Sequence, residues 1–273
     1  MQLGVHLPQA GSQASPDRIL RHAMRAEALG LFDVWVSEHI IVPKDAPYPP
    51  TPVFYDPVVV LSWVAAVTRR VRLGTSVLVL PMRHPLPLAK ELGTLQELSA
   101  GRLILGAGVG WLEAEFAALG VPFNQRGRRM DEGIAMMRAV WNNDPVSFEA
   151  RTIPAKIENM RMLPRPSVPI PIWIGGTAER QIARALKLQG WHGSRQSPAE
   201  IAPIVDRLRR ERPDPDFAIS MRIRWDGADP AELRSRLKAY EALGVGHVLV
   251  EPNDREVDDQ ERILEGVGRI AGG

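Results

Sequence analysis

Two adjacent side chains, Glu38 and His39, carry the most direct chemical signal in this sequence. An imidazole exchanges a proton near neutral pH, and a carboxylate beside it favours its charged form. The pair follows the apolar run Phe32 to Ser37, so it falls where a strand ends. General acid/base catalysis is the chemistry this pair can perform, and a loop histidine that only hydrogen-bonds is the alternative. His6 also closes an apolar run and ranks second, with a barrel-lining role as its alternative. His84, His192 and His247 have no carboxylate beside them in the chain, which suits structural roles. The histidines and carboxylates show no metal-ligand spacing such as HExxH, so no metal is expected.

Two glycine turns form the second signal. Gly175-Gly176-Thr177 lies between an apolar run and a helix start, where free N–H groups and the helix dipole favour a phosphate. A plain tight turn is the alternative. Gly108-Val109-Gly110 reads the same way, and with no side chains in the path a ligand can approach the backbone. Ser76-Val77 interrupts the apolar run Val71 to Leu80. It is read either as a buried hydroxyl bonded to backbone or as a bulge that re-aims backbone groups at a ligand. Ser194-Arg195 closes another short run. The tryptophans read as core, although Trp111 follows a glycine turn and can cover a ring.

These residues need elements to hold them. Apolar runs expected as strands are 2–7, 32–37, 71–80, 102–107, 170–174, 191–194, 217–225 and 245–250, with helices between them. Continuous Val/Ile/Leu runs suit parallel strands covered on both faces. Ser15-Pro16 opens the first helix, while Gly30, Gly101, Gly190 and Gly244 read as helix stops. Eight strands alternating with eight helical segments predict an α/β fold, a (β/α)8 TIM barrel spanning 1–273 as one domain. A short β-like insertion over 144–168 separates strands four and five. Glu27-Ala-Leu-Gly and Glu241-Ala-Leu-Gly each lead into a strand, an internal echo of one repeated unit. An open dinucleotide-binding sheet is the competing fold, but no GxGxxG follows the first strand. In a barrel the strand C-termini carry the site, which gathers every signal above at one end. The long Pro-rich loop 40–57 follows Glu38-His39 and suits a lid.

Composition narrows the partners. The chain has 273 residues, 45% of them hydrophobic, enough for a sizeable core. With 34 basic and 32 acidic side chains and no dense basic run, nucleic acid is not an expected partner. The absence of cysteine rules out disulfides and a thiolate nucleophile, and it fits a reducing compartment. No apolar run reaches membrane length, and the chain starts directly on a strand with no signal-like segment. A cytoplasmic protein with no membrane partner is the expectation.

The stretch LGTSVLVLPMRHPLPLAKELGTLQELSAGRLILGAGVGW resembles the luciferase-like flavin and deazaflavin oxidoreductases. VPIPIWIGGT, DVWVSEH and ALGVPFNQRGRRMDE resemble the same family, in the same order, from the first strand to about Ser194. The resemblance implies a barrel with an insertion, a homodimer, and coenzyme F420 or FMN lodged in the barrel mouth. It implies a non-proline cis peptide behind the ring at Ser76-Val77. The family's acidic-residue-plus-His pair falls on Glu38-His39, with Glu in place of the commoner Asp. In the deazaflavin dehydrogenases that His assists proton transfer as hydride moves. Phosphate contacts fall on Gly175 and Gly176, with Gly108 to Gly110 and Ser194 nearby.

The chain departs from the family in two places. Trp111 stands where the sugar-phosphate dehydrogenases carry Glu, and Gln189 stands where Asp-Gly-Trp is common. Three functions follow as expectations. The first is an oxidoreductase moving hydride between F420 and a small organic substrate. The second is an FMN-dependent monooxygenase, and the third is a non-catalytic flavin-binding protein.

Overall fold

The computed structural model describes residues 1–46, 48–49, 51–253 and 257–272, and not the side chains of 257–259. Pro47 and Pro50 of the long loop therefore lie outside the described residues. The chain begins with β1 (Gln2–His6), α1 (Pro16–Ala28), β2 (Asp33–Val36), α2 (Pro57–Val67), β3 (Arg72–Thr75) and β4 (Leu78–Val79). Next come α3 (Pro85–Leu98), β5 (Leu103–Gly108), α4 (Glu113–Ala118) and α5 (Arg126–Asn142). An antiparallel hairpin, β6 (Val146–Glu149) and β7 (Lys156–Met160), leads to β8 (Ile172–Gly175) and α6 (Glu179–Ala185). The rest is β9 (Gly190–Ser194), α7 (Pro198–Glu211), β10 (Ala218–Trp225), α8 (Pro230–Ala242), β11 (His247–Pro252) and α9 (Val257–Ala271).

Eight strands pair in parallel in the order β3, β2, β1, β11, β10, β9, β8, β5. Leu73 on β3 then pairs with Leu103 on β5 and closes the ring. β4 continues β3 and pairs with β5, while the hairpin stands apart as its own sheet. The architecture is the (β/α)8 barrel with its insertion between the fourth and fifth ring strands. β2 and β5 are buried at every position, because helices cover one face and the bore covers the other. Helix starts follow local chemistry. Ser15 accepts the Arg18 N–H ahead of Pro16, and Asp56 Oδ1 accepts from Val58 and Val59 at 2.9 and 3.0 Å. The internal echo is real in geometry: Gly30 (φ 74°) and Gly244 (φ 95°) each turn a helix into a strand.

Two local expectations change. The apolar run 71–80 is two strands, because a cis Ser76-Val77 peptide breaks it. Gly190 is the first residue of β9 rather than a helix stop. It is glycine because a Cβ there would lie 2.7 Å from Trp173 and 2.8 Å from Ala218.

The bore holds rings. Trp35, Ile104, Trp173 and Leu249 form a cluster separate from the large strand–helix core. Trp35 lies flat against the His192 imidazole, centroids 5.1 Å apart and planes 7° apart. Gly74 makes the room, since a Cβ there would sit 2.3 Å from the Trp35 ring. Burying one such large side chain contributes roughly 1.5–3 kcal/mol.

Candidate active site

Glu38, His39, Ser76, Val77, Gly108, Val109, Gly110, Gly175, Gly176, Thr177 and Ser194 all line one cavity of about 440 Å³ at the strand C-termini. The ring topology brings them together from β2, β3–β4, β5, β8 and β9. The volume suits a small-molecule or cofactor site, for which ~300–1,000 Å³ is usual.

The back wall is the Ser76-Val77 bulge. Its peptide is cis, Ser76 N donates to Val36 O at 2.7 Å, and Thr75 Oγ1 donates to Gly106 O at 2.8 Å. The glycines do something other than clear a path for a ligand. A Cβ on Gly108 would lie 2.3 Å from the Val77 side chain, and one on Gly175 would lie 2.7 Å from it. Val77 therefore fills the space above both strand ends and presents an apolar face to the cavity. Gly110 (φ 80°) turns the chain where a Cβ would strike Phe116 and Val79 at 2.7 Å.

His39 is held by a carboxylate, but not by Glu38. Its Nδ1 lies 2.9 Å from Glu115 Oε2 on α4. Glu115 Oε1 also accepts the N–H groups of Ile40 at 2.8 Å and Ile41 at 3.3 Å. Glu115 is 3% exposed. Among the described residues nothing bonds His39 Nε2, which leaves it as the nitrogen open to a ligand. Glu38 turns away: its carboxylate accepts the Val79 N–H at 2.5 Å and Arg83 Nε at 2.6 Å, and Arg83 also grips Asp56. Burial pushes the Glu38 carboxyl above its ordinary value, with Arg83 and the Val79 N–H opposing. Glu38 thus ties β2 to β4 and steadies the wall. Sequence reading missed Glu115 because it is 76 residues from His39. The one available signal was a second carboxylate, after Glu113, on the helix that follows the glycine turn.

Arg222 on β10 was missed as well. It lines the cavity, is 7% exposed, and donates to the Ser76 carbonyl at 2.8 Å and Ser76 Oγ at 3.2 Å. Its other nitrogen bonds Glu251, which Arg195 also holds at 2.8 Å. Burial works against the Glu251 charge, but Arg222 and Arg195 outweigh it and keep the carboxyl well below the usual carboxylate range. The result is a fixed cation directly behind the cis peptide. An arginine inside the strand AISMRIRW, flanked by Met221 and Ile223, was the readable sign.

The remaining walls differ in character. Gly176 (φ 108°) leads into α6, whose N-cap Ala178 makes no side-chain cap bond; the Gly176 N–H donates to His192 O at 3.4 Å and the Gln181 N–H to Ala178 O at 2.7 Å. Ser194 N donates to Gln196 Oε1 at 2.9 Å. On the loop side Trp111 stands edge-on to His39 at 5.9 Å and Tyr48 leans on Trp111 at 5.8 Å. The loop is pinned behind them: Gly11 N bonds Val53 O at 3.0 Å, and Gln9 Nε2 bonds Ser37 O at 2.8 Å and Tyr55 O at 3.1 Å. His84 caps α3, accepting the Leu86 N–H at 3.3 Å. His247 does have a carboxylate neighbour in space, Asp33 at 3.1 Å, although none in sequence. Among the described residues no group of three or more His, Asp or Glu side chains is placed to hold a metal. No described helix is long and apolar enough to cross a membrane.

Known proteins share this frame. The family model described as luciferase-like monooxygenase matches residues 1–266. An uncharacterised protein of Mycobacterium tuberculosis is 33% identical over 202 residues, 70% of this chain and 69% of that one. An F420-dependent glucose-6-phosphate dehydrogenase of Intrasporangium calvum is 32% identical over 262 residues, 86% of this chain and 73% of the relative. Among solved structures, the monooxygenase RslO1 from Streptomyces bottropensis superposes with a TM-score of 0.81 at 20% identity, covering 98% of both chains. An F420-dependent secondary alcohol dehydrogenase in complex with an F420–acetone adduct gives 0.80 at 18% identity over 97% of both. The similarity runs past Ser194 nearly to the C-terminus, and with sequence match and barrel in agreement, this chain belongs to the luciferase-like monooxygenase family.

Proposed function

We propose that the protein is an oxidoreductase that uses coenzyme F420 and moves hydride between its ring and a small organic substrate. The observation that carries this reading is His39, oriented by Glu115 and left with Nε2 open to the cavity. The F420-dependent relatives support the choice of cofactor. So does the fit of the residues: an apolar wall at Val77, a cation behind it, and the glycine turn Gly175-Gly176 at the cavity rim. When bound, the deazaflavin supplies the two-electron carrier.

The protein's own groups do the rest. Gly108 to Gly110, Gly175 to Thr177 and Ser194 would hold the cofactor, with Val77 offering it an apolar wall. Glu115 fixes the ring direction of His39 through its contact to Nδ1. His39 Nε2 takes or gives the substrate proton while hydride moves. Phe54 and Trp111 stand edge-on to the His39 ring on the loop side, with Tyr48 leaning on Trp111. Their apolar surface suits a small organic substrate.

Titration of the purified protein with F420 and with FMN, followed by ring fluorescence, tests the reading. Saturable quenching with F420 is the expected result, and tight FMN binding with none for F420 overturns it. FMN with oxygen uptake is then the second reading, which the family's description and the monooxygenase neighbour favour. If the loaded protein converts no substrate and His39→Ala leaves cofactor binding unchanged, the protein is a carrier rather than an enzyme. The same reading carries a homodimer and a cytoplasmic location. The exposed Val59 and Trp63 on α2 support the dimer, and light scattering in solution tests it.

A further inference from the structure

Behind the cis peptide a line of polar side chains runs down the bore, and the proposed chemistry makes no use of it. Ser76 Oγ lies 2.8 Å from His192 Nε2. His192 Nδ1 lies 2.7 Å from Ser220 Oγ, and Ser220 Oγ lies 2.6 Å from His247 Nδ1. His247 Nε2 lies 3.1 Å from Asp33 Oδ1 and 3.0 Å from Oδ2. The four inner members, His192, Ser220, His247 and Asp33, are at most 2% exposed. Ser76 and His192 line the upper cavity. His247 lines a second cavity of about 580 Å³ at the opposite mouth, among Gln2, Phe32, Arg72 and Gly246. The line therefore joins the two ends of a bore that indoles otherwise fill.

The proton positions follow from the partners. In the order proposed here Asp33 accepts the Nε2–H of His247, and His247 Nδ1 accepts the Ser220 hydroxyl proton. Ser220 oxygen in turn accepts the Nδ1–H of His192, and His192 Nε2 accepts from Ser76. Every donor points the same way. Burial, with His247 and Arg222 adding, pushes the His192 imidazole well below its ordinary range, in keeping with the neutral ring this order needs.

We propose that Ser76, His192, Ser220, His247 and Asp33 form a proton path between the upper cavity and the far mouth of the barrel. A proton reaching Ser76 Oγ displaces the hydroxyl proton to His192 Nε2, and the His192 Nδ1 proton passes to Ser220. The Ser220 hydroxyl proton passes to His247 Nδ1, and the Nε2 proton passes to Asp33, the buried carboxylate that ends the line beside His247, where that ring lines the lower cavity. At each hop one bond to hydrogen forms and one breaks, no electrons move, and one proton is carried in all. The reverse sequence delivers a proton to the upper cavity. The cavity then has two proton routes, His39 on the loop side and Ser76 at the wall. The path depends on the function proposed above only for which group in the upper cavity gives or takes the proton.

The test uses the protein without cofactor. Long-range nitrogen-15 correlation spectra at neutral pH are expected to show His192 protonated on Nδ1 and His247 on Nε2. Both rings carrying the proton on the same nitrogen would leave Ser220 unable to pass it and would overturn the proposal. Exchange of the His192 N–H proton with water is the second readout. In Ser220→Ala it is expected to slow about tenfold or more, with recovery in Ser220→Thr. A purely structural serine predicts the opposite sign, since its loss loosens the bore and speeds exchange. Unchanged or faster exchange in Ser220→Ala, with amide protection in β9 and β10 intact, overturns the path. Because neither readout needs F420, a failed cofactor titration leaves both interpretable.

Discussion

The two mouths of the barrel hold cavities of comparable size, about 440 Å³ above and about 580 Å³ below, yet they are built differently. The upper one is assembled from the ends of ring strands and reinforced from behind by buried ion pairs, Arg83–Glu38 and Arg222–Glu251. The lower one is rimmed by exposed charges, such as the Met1 amino group and Glu241 at 3.4 Å with Glu241 59% exposed. Volume alone therefore does not mark a site. What marks it is the cost of the supports: glycines that admit Val77, a bent strand, and charges taken out of water.

Substitutions should separate the two ends in proportion to that cost. The largest effect is expected for His39→Ala, which should lower turnover by about 10²–10⁴-fold with F420 affinity unchanged, as steady-state kinetics and fluorescence titration will read. Glu251→Ala strands the Arg222 charge in the bore and should destabilise by about 3–5 kcal/mol in chemical denaturation. The pH dependence sharpens this point. Glu251 has a depressed folded-state pKa, so its stabilisation is complete above the ordinary carboxylate value of ~4.3 and fades as pH falls towards the folded value. Glu251→Gln should flatten that acid limb. Gly108→Ala drives a methyl group into Val77 and should cost about 1–3 kcal/mol while weakening cofactor binding. Glu115→Gln keeps the shape but loosens the imidazole, so about a tenfold loss in turnover is expected. At the lower mouth Glu241→Ala should change stability by no more than ~0.5 kcal/mol and leave cofactor binding alone. A large effect there would break the contrast.

The barrel was legible because most of its strands are apolar runs separated by helix-length segments, and its first helix opens at the Ser15 cap. The wall was legible too, since Ser76 interrupts such a run. Partnerships were not. His39 finds Glu115 across 76 residues and His247 finds Asp33 across 214, so a search for adjacent carboxylates chose Glu38 and passed over both. Glycine positions in the sequence marked a close approach, but only coordinates show Val77 packed against Gly108 and Gly175.

Glu115 grips the imidazole with one oxygen and the backbone of Ile40 and Ile41 with the other. Moving the start of the loop and disarming His39 are thus a single mechanical event. A swing of residues 40–41 that opens the mouth to a substrate also strips the imidazole of its anchor. Reseating the loop restores both at once, so under the proposed function the proton chemistry of His39 is tied to the seating of residues 40–41.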